Sequence, residues 1–156
     1  MVTAAITWYQ WFLFLHILAA AAWVGGALAL VALSVAARAQ RDPAQELALV
    51  RLGGKVGGPL FGFAGLALIG FGIGLVENGN WGYDHFFVQF GFAAWAFSTL
   101  TGLFYYQTEQ RGLDAATERG DDGDVRRRLN RYYRVGRLDT AVLVAAVFVM
   151  TTKVWS

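Results

Sequence analysis

The chain has no cysteine in its 156 residues, which excludes a disulfide framework, a zinc ribbon, an iron–sulfur cluster and thiol chemistry. Two prolines, two histidines and two methionines complete the scarce residues, so any haem or metal site must draw on a short set. Charge is scarce as well. Only 15% of residues are charged, against about 25% in a typical soluble domain. No Ser/His/Asp set, no phosphate-binding glycine loop after a strand and no pair of intramembrane carboxylates can be read, which argues against a soluble enzyme. What is abundant is apolar: 56% hydrophobic and 15% aromatic residues, with 19 glycines. A chain so rich in apolar surface is not disordered.

The apolar residues come in runs. Trp11 to Ala37 holds 27 residues whose one ionisable group is His16, and a bilayer core needs about 20 apolar helical residues. A signal peptide fits this run poorly, because no Lys or Arg precedes it and it is too long for an h-region. Further uncharged runs cover Val56–Val76, Phe86–Gln107 and Thr140–Thr152. The expectation is an all-α, integral membrane four-helix bundle in one domain, 1–156, with spans near 9–37, 56–76, 86–107 and 138–155.

Positive charge sets the orientation. Arg38, Arg41, Arg51 and Lys55 lie between the first two runs, and eight arginines lie between Thr108 and Arg137. Lys153 is the remaining cation of thirteen. The two basic loops are therefore expected in the cytoplasm and both termini outside, in a multi-pass protein of a bacterial inner membrane. Trp8, Trp11, Trp81, Tyr83 and Trp155 would form an outer aromatic belt, with Tyr105, Tyr106, Tyr132 and Tyr133 at the inner boundary.

Arg126, Arg127, Arg128, Arg131 and Arg134 interleave with Tyr132 and Tyr133 just before the fourth run. Beside a membrane this reads as a patch for anionic lipid head groups, worth about 1 kcal/mol per basic residue, and not as a nucleic-acid site. Asp121-Asp122-Gly123-Asp124 lacks calcium-loop spacing and reads as a solvated turn. Gly57-Gly58-Pro59 reads as the opening of the second helix. Gly58/Gly62 and Gly70/Gly74 have close-packing spacing, and Gly91, Ala94, Ser98 and Gly102 form a small-residue stripe. Asp139 reads as a cap of the fourth helix or a partner of Arg137.

His16 is the candidate site residue. It lies about 8 Å inside the first run, where an ionisable group should face the bundle and meet a partner. Ala19, Ala20, Trp23 and Ala27 share its face, and the alanines leave room beside the ring. That suits axial ligation of haem b. The plainer reading is a hydrogen bond to a neighbouring helix, through Gln89 or Ser98. His85 is the candidate second ligand, about 8 Å nearer the outer rim if the helices stand upright. Five-coordinate iron, or Met150 as a ligand, are the other arrangements.

The stretch Leu15-His16-Ile17-Leu18-Ala19-Ala20-Ala21-Ala22-Trp23-Val24-Gly25-Gly26 resembles the LHxxAAxxWxGG stretch of CopD-like membrane domains. It is similar also to the opening helix of an uncharacterised four-span bacterial family, whose Met-x-x-Lys ending Met150-Thr151-Thr152-Lys153 resembles. A more distant likeness is to HemJ-type protoporphyrinogen oxidases, and it implies haem b on His16. Ser34 to Arg41 replaces the Pro-Arg and Tyr-His segment of those enzymes, and the third span has no Lys. The CopD-like likeness implies copper handling, although copper(I) prefers Cys and Met ligands, which are nearly missing here. Three functions follow as expectations: a haem-b protein of membrane electron transfer, a non-catalytic accessory subunit beside other membrane subunits of a respiratory or photosynthetic complex, and a copper-handling protein.

Overall fold

The computed structural model describes residues 6–79 and 81–153, and those residues are helical apart from short turns. Helix α1 runs Trp8–Ala39, α2 Pro43–Leu52, α3 Gly58–Asn78, α4 Phe86–Leu100, α5 Gln107–Glu118 and α6 Asp122–Thr152. Single wide π-turns, Gly53–Gly57 and Thr101–Tyr106, join α2 to α3 and α4 to α5 without a break. Four continuous helices result: Trp8–Ala39, Pro43–Asn78, Phe86–Glu118 and Asp122–Thr152, each long and apolar enough to cross a membrane. They fit a multi-pass integral membrane protein. Large side chains such as Phe63, Leu66 and Phe104 stand exposed on their outer faces, as bilayer contact requires.

Local chemistry sets the helix ends. Thr7 caps α1: its hydroxyl accepts from the Gln10 N–H at 3.3 Å, and the Gln10 side-chain oxygen Oε1 accepts from the Thr7 N–H at 2.8 Å. Asp42 caps α2 ahead of Pro43. Asp121 caps α6 by accepting from the Asp124 N–H at 2.9 Å, just after Gly120 turns the chain at φ +67°. The acidic run 121–124 is thus a helix start, not a free turn.

The structure corrects two sequence expectations at the charged end and qualifies a third. The basic loops are helical, because α2, α5 and the first half of α6 share a core of Leu47, Val50, Leu113, Ala116, Val125, Leu129 and Tyr133. Pro59 does stand in the first turn of α3, but that helix continues from α2 through the Gly53–Gly57 turn. The wide turn displaces the carbonyl that a proline ring would strike in a regular helix. Asp139 caps nothing, since α6 begins at Asp122, and Arg137 donates to the Tyr133 carbonyl instead.

At the opposite end, the start of α1, the end of α3 and the end of α6 gather near Trp81, ahead of α4. The Lys153 ammonium lies 3.9 Å over the Trp81 ring. Trp8, Trp11, Trp81 and Tyr83 cluster near this end in sequence and structure, and Trp155 lies outside the described residues. Helix α1 packs along α3 and against α6, α4 packs on α6, and α3 scarcely touches α4.

Candidate functional site

Glycines on α3 decide how closely α1 approaches. A Cβ at Gly65 would lie 2.7 Å from the Trp23 ring, and one at Gly74 would lie 2.9 Å from Phe12. The close-packing spacing of Gly58 and Gly62 serves no such contact: positions for a Cβ there meet nothing within 4 Å. The α3 face toward α4 is open.

That opening leads into a cavity of roughly 430 Å³ between the helices, toward the charged end. Trp23, Phe61 and Trp95 form its apolar walls, and Tyr106, Tyr132 and Tyr133 add phenol rings. Both wide turns border it, through Gly53 and Gly54 on one side and Gly102, Leu103 and Tyr106 on the other. Such turns widen a helix locally and are frequent at functional sites. The Trp95 indole N–H crosses the gap between α4 and α3 and donates to the Gly65 carbonyl at 2.9 Å. Gln110 closes the charged end by donating to the Val50 carbonyl at 3.4 Å.

Asp139 is the acidic residue in the cavity lining among the described residues. It is 8% exposed, and its Oδ1 has no hydrogen-bond partner. The Ser98 hydroxyl, 4% exposed itself, stands beside the carboxyl group. No Lys, Arg or His lines the cavity among the described residues. A carboxyl group without cation or full set of donors is costly at such burial.

His16 lies elsewhere. Its Nδ1 is 3.1 Å from the Leu68 carbonyl oxygen, which fits an N–H donor there. The missing Cβ of Gly72, one turn further along α3, lets the imidazole in: that Cβ would stand 3.3 Å from Cε1. The partner is thus a backbone carbonyl of α3, and neither Gln89 nor Ser98. With the proton on Nδ1, the Nε2 lone pair is the one left for a ligand, the tautomer that metal-binding histidines commonly adopt. The cavity lining does not include His16, and its ring stands against the Leu68 and Gly72 positions of α3.

His85 precedes α4 and ties the outer turn together. Its Nδ1 lies 3.1 Å from the Gly82 nitrogen and 3.0 Å from the Gly82 oxygen, and its ring packs against Trp81 and Phe87. The two histidines share no neighbour among these contacts. Met150 fills the hollow over Gly91 on α4. Among the described residues, no three His, Asp or Glu side chains converge as a metal site. No family model, no curated protein and no solved structure matches the chain.

The arginines read as a lipid patch divide in two. Arg128 and Arg131 hold Glu109, 5% exposed, at 3.1 and 3.2 Å, while Arg127 and Arg128 hold Asp124 at 3.3 and 3.1 Å. Arg126 and Arg134 are on the exposed surface of α6. The hydrogen bond from Arg128 holds the Asp124 carboxyl below the usual carboxylate range. Much of the patch is therefore internal glue for the charged end. Sequence reasoning placed Ser98 on a small-residue stripe but missed Asp139, Trp95 and Gln110 as site residues. The signal was present: helical spacing of apolar residues from Val125 through Leu129 and Tyr133 carries α6 upstream of Asp139 and turns it inward.

Proposed function

We propose that this is a membrane protein that takes a small amphipathic molecule from the bilayer, through the gap between α3 and α4, into the cavity around Asp139. The observation carrying this is the cavity of roughly 430 Å³ whose lining includes Asp139, a residue with an unpartnered, buried carboxyl oxygen. Its size is in the range of about 300–1,000 Å³ typical of small-molecule sites, and its make-up is likewise mostly apolar with few polar groups. In this reading the helical charged end faces the cytoplasm of a bacterial inner membrane, by the positive-inside rule, and Arg126 and Arg134 meet lipid head groups.

The test uses 4-nitrobenzyl alcohol, a neutral quencher of tryptophan emission, on protein in phosphatidylcholine nanodiscs. Saturable quenching that is lost when Gly62→Leu and Gly102→Leu fill the gap supports the reading. Quenching that rises linearly, equally in both proteins, refutes it.

A second reading keeps haem b and membrane redox, and the Nδ1 contact of His16 with Leu68 favours it. Bound haem would supply one-electron chemistry, with His16 as the ligand the chain provides. A Soret band that vanishes in His16→Ala supports this reading, and colourless folded protein after haem addition overturns it.

A further inference from the structure

We infer that the molecule taken into the cavity is an organic cation, a protonated amine on an aromatic or aliphatic body, held by the carboxylate of Asp139. This deepens the proposed function and rests on it. Three observations converge. Among the described residues, the Asp139 carboxyl is the one acidic group in the lining, and no basic side chain lines the cavity to neutralise it. Its Oδ1 is buried and accepts from nothing, so this carboxyl group at the cavity lining lacks a donor. The walls that would surround the donor are aromatic: Trp23, Trp95, Tyr106 and Tyr132.

Each feature selects in the same direction. An ammonium group supplies the N–H donor and the balancing charge together, and charge-assisted bonds of this kind are stronger than neutral ones. Indole and phenol faces attract a cation through their quadrupole, and they do so best where water is excluded. An anion would meet the carboxylate with no counter-charge. A neutral hydrogen-bond donor would satisfy Oδ1 and leave the charge buried. The alternative is that Asp139 carries a proton itself and donates to a ligand carbonyl, in which case positive charge on the ligand brings no gain.

The gap between α3 and α4 suits such a ligand. Its rim is made of Gly62, Leu66, Gly102 and Leu103, small or apolar residues that let a hydrophobic body slide in from lipid. The Trp95 indole, bonded to the Gly65 carbonyl, lies across the same passage.

The experiment compares 4-nitrobenzylammonium with 4-nitrobenzyl alcohol, which share one aromatic body, by tryptophan quenching in zwitterionic phosphatidylcholine nanodiscs. The ammonium is expected to bind about tenfold tighter or better than the alcohol. In Asp139→Asn that preference should disappear while alcohol binding persists, which also shows that the variant is folded. If the alcohol binds as tightly as the ammonium, or if the preference survives in Asp139→Asn, the cation inference is overturned and the cavity reading stands. If neither probe saturates, the cavity reading fails and the inference falls with it.

Discussion

Helix α3 has two faces that treat glycine in opposite ways. Toward α1, Gly65 and Gly74 are hollows filled by Trp23 and Phe12, and Gly72 receives His16. Toward α4, Gly62 looks onto open space, and the indole bond of Trp95 to the Gly65 carbonyl is the polar link across the gap. In lipid, helices associate through packing and hydrogen bonds, not through expulsion of water. A seam rich in glycine–aromatic contacts is thus a structural element, and a seam that forgoes them is available for something else. The same residue type marks the closed side and the open side. Only the partner distinguishes them.

The largest expected effect breaks the closed seam. Gly65→Leu drives a side chain into the Trp23 ring, and overpacking of this kind costs about 3 kcal/mol. Thermal unfolding in detergent, followed by circular dichroism, should show a large drop in midpoint or a failure to fold. Gly62→Leu, three residues away on the same helix, should leave the midpoint within the scatter of neutral surface changes, about 0.5 kcal/mol. Equal effects at the two positions would erase the distinction between the seams.

Next comes the charged end, where Glu109 is held by Arg128 and Arg131 under the helical cap. Glu109→Ala removes the acid between two arginines and should cost about 2 kcal/mol, less than a fully buried pair because both guanidiniums reach solvent. The readout is faster proteolysis within α5 and the first half of α6, with the spans protected. Loss of protection along the whole chain would mean that cap and spans unfold as one unit. A smaller effect belongs to the open seam: Trp95→Phe deletes the bond to Gly65, worth about 1 kcal/mol. It should lower the midpoint modestly and speed probe quenching at Trp23. Unchanged quenching rates would show that Trp95 does not sit across the passage.

How much of this could be read beforehand differs between the two regions for a physical reason. The spans were legible because hydropathy over a long uncharged run depends on composition alone. His16 was legible as an inward-facing group for a related reason, since burial of an imidazole in lipid demands a partner. Its partner was not, because the Leu68 carbonyl belongs to the backbone and carries no sequence signature. Asp139 was misread through the same reliance on hydropathy. The apolar run starts beside it, so it looked like a helix start, whereas Asp121 caps the helix a long way upstream. Between them the apolar positions of α6 keep helical spacing, but the arginines among them hide the pattern from any average. The cavity itself was beyond reach, being made where side chains from α1, α3, α4 and α6 fail to meet.

The smallest effect tests whether the arginine-rich segment is glue or lipid patch. Asp124 accepts from Arg128 at 3.1 Å and Arg127 at 3.3 Å, and Arg119 approaches at 3.5 Å. The Arg128 bond holds its carboxyl below the ordinary carboxylate range. A group with a depressed folded-state pKa contributes stability that is complete above its unfolded value, about 3.9 for Asp, and that fades as pH falls through the folded value. Cap protection against protease should therefore stay level from neutral pH to about 5 and weaken only below the carboxylate range. Asp124→Asn should remove Asp124's share of that acid limb and, by releasing Arg127 in particular, strengthen binding to vesicles containing anionic lipid. An acid limb identical in the variant would mean that Asp124 ties nothing down, and the arginines would then belong to the membrane surface after all.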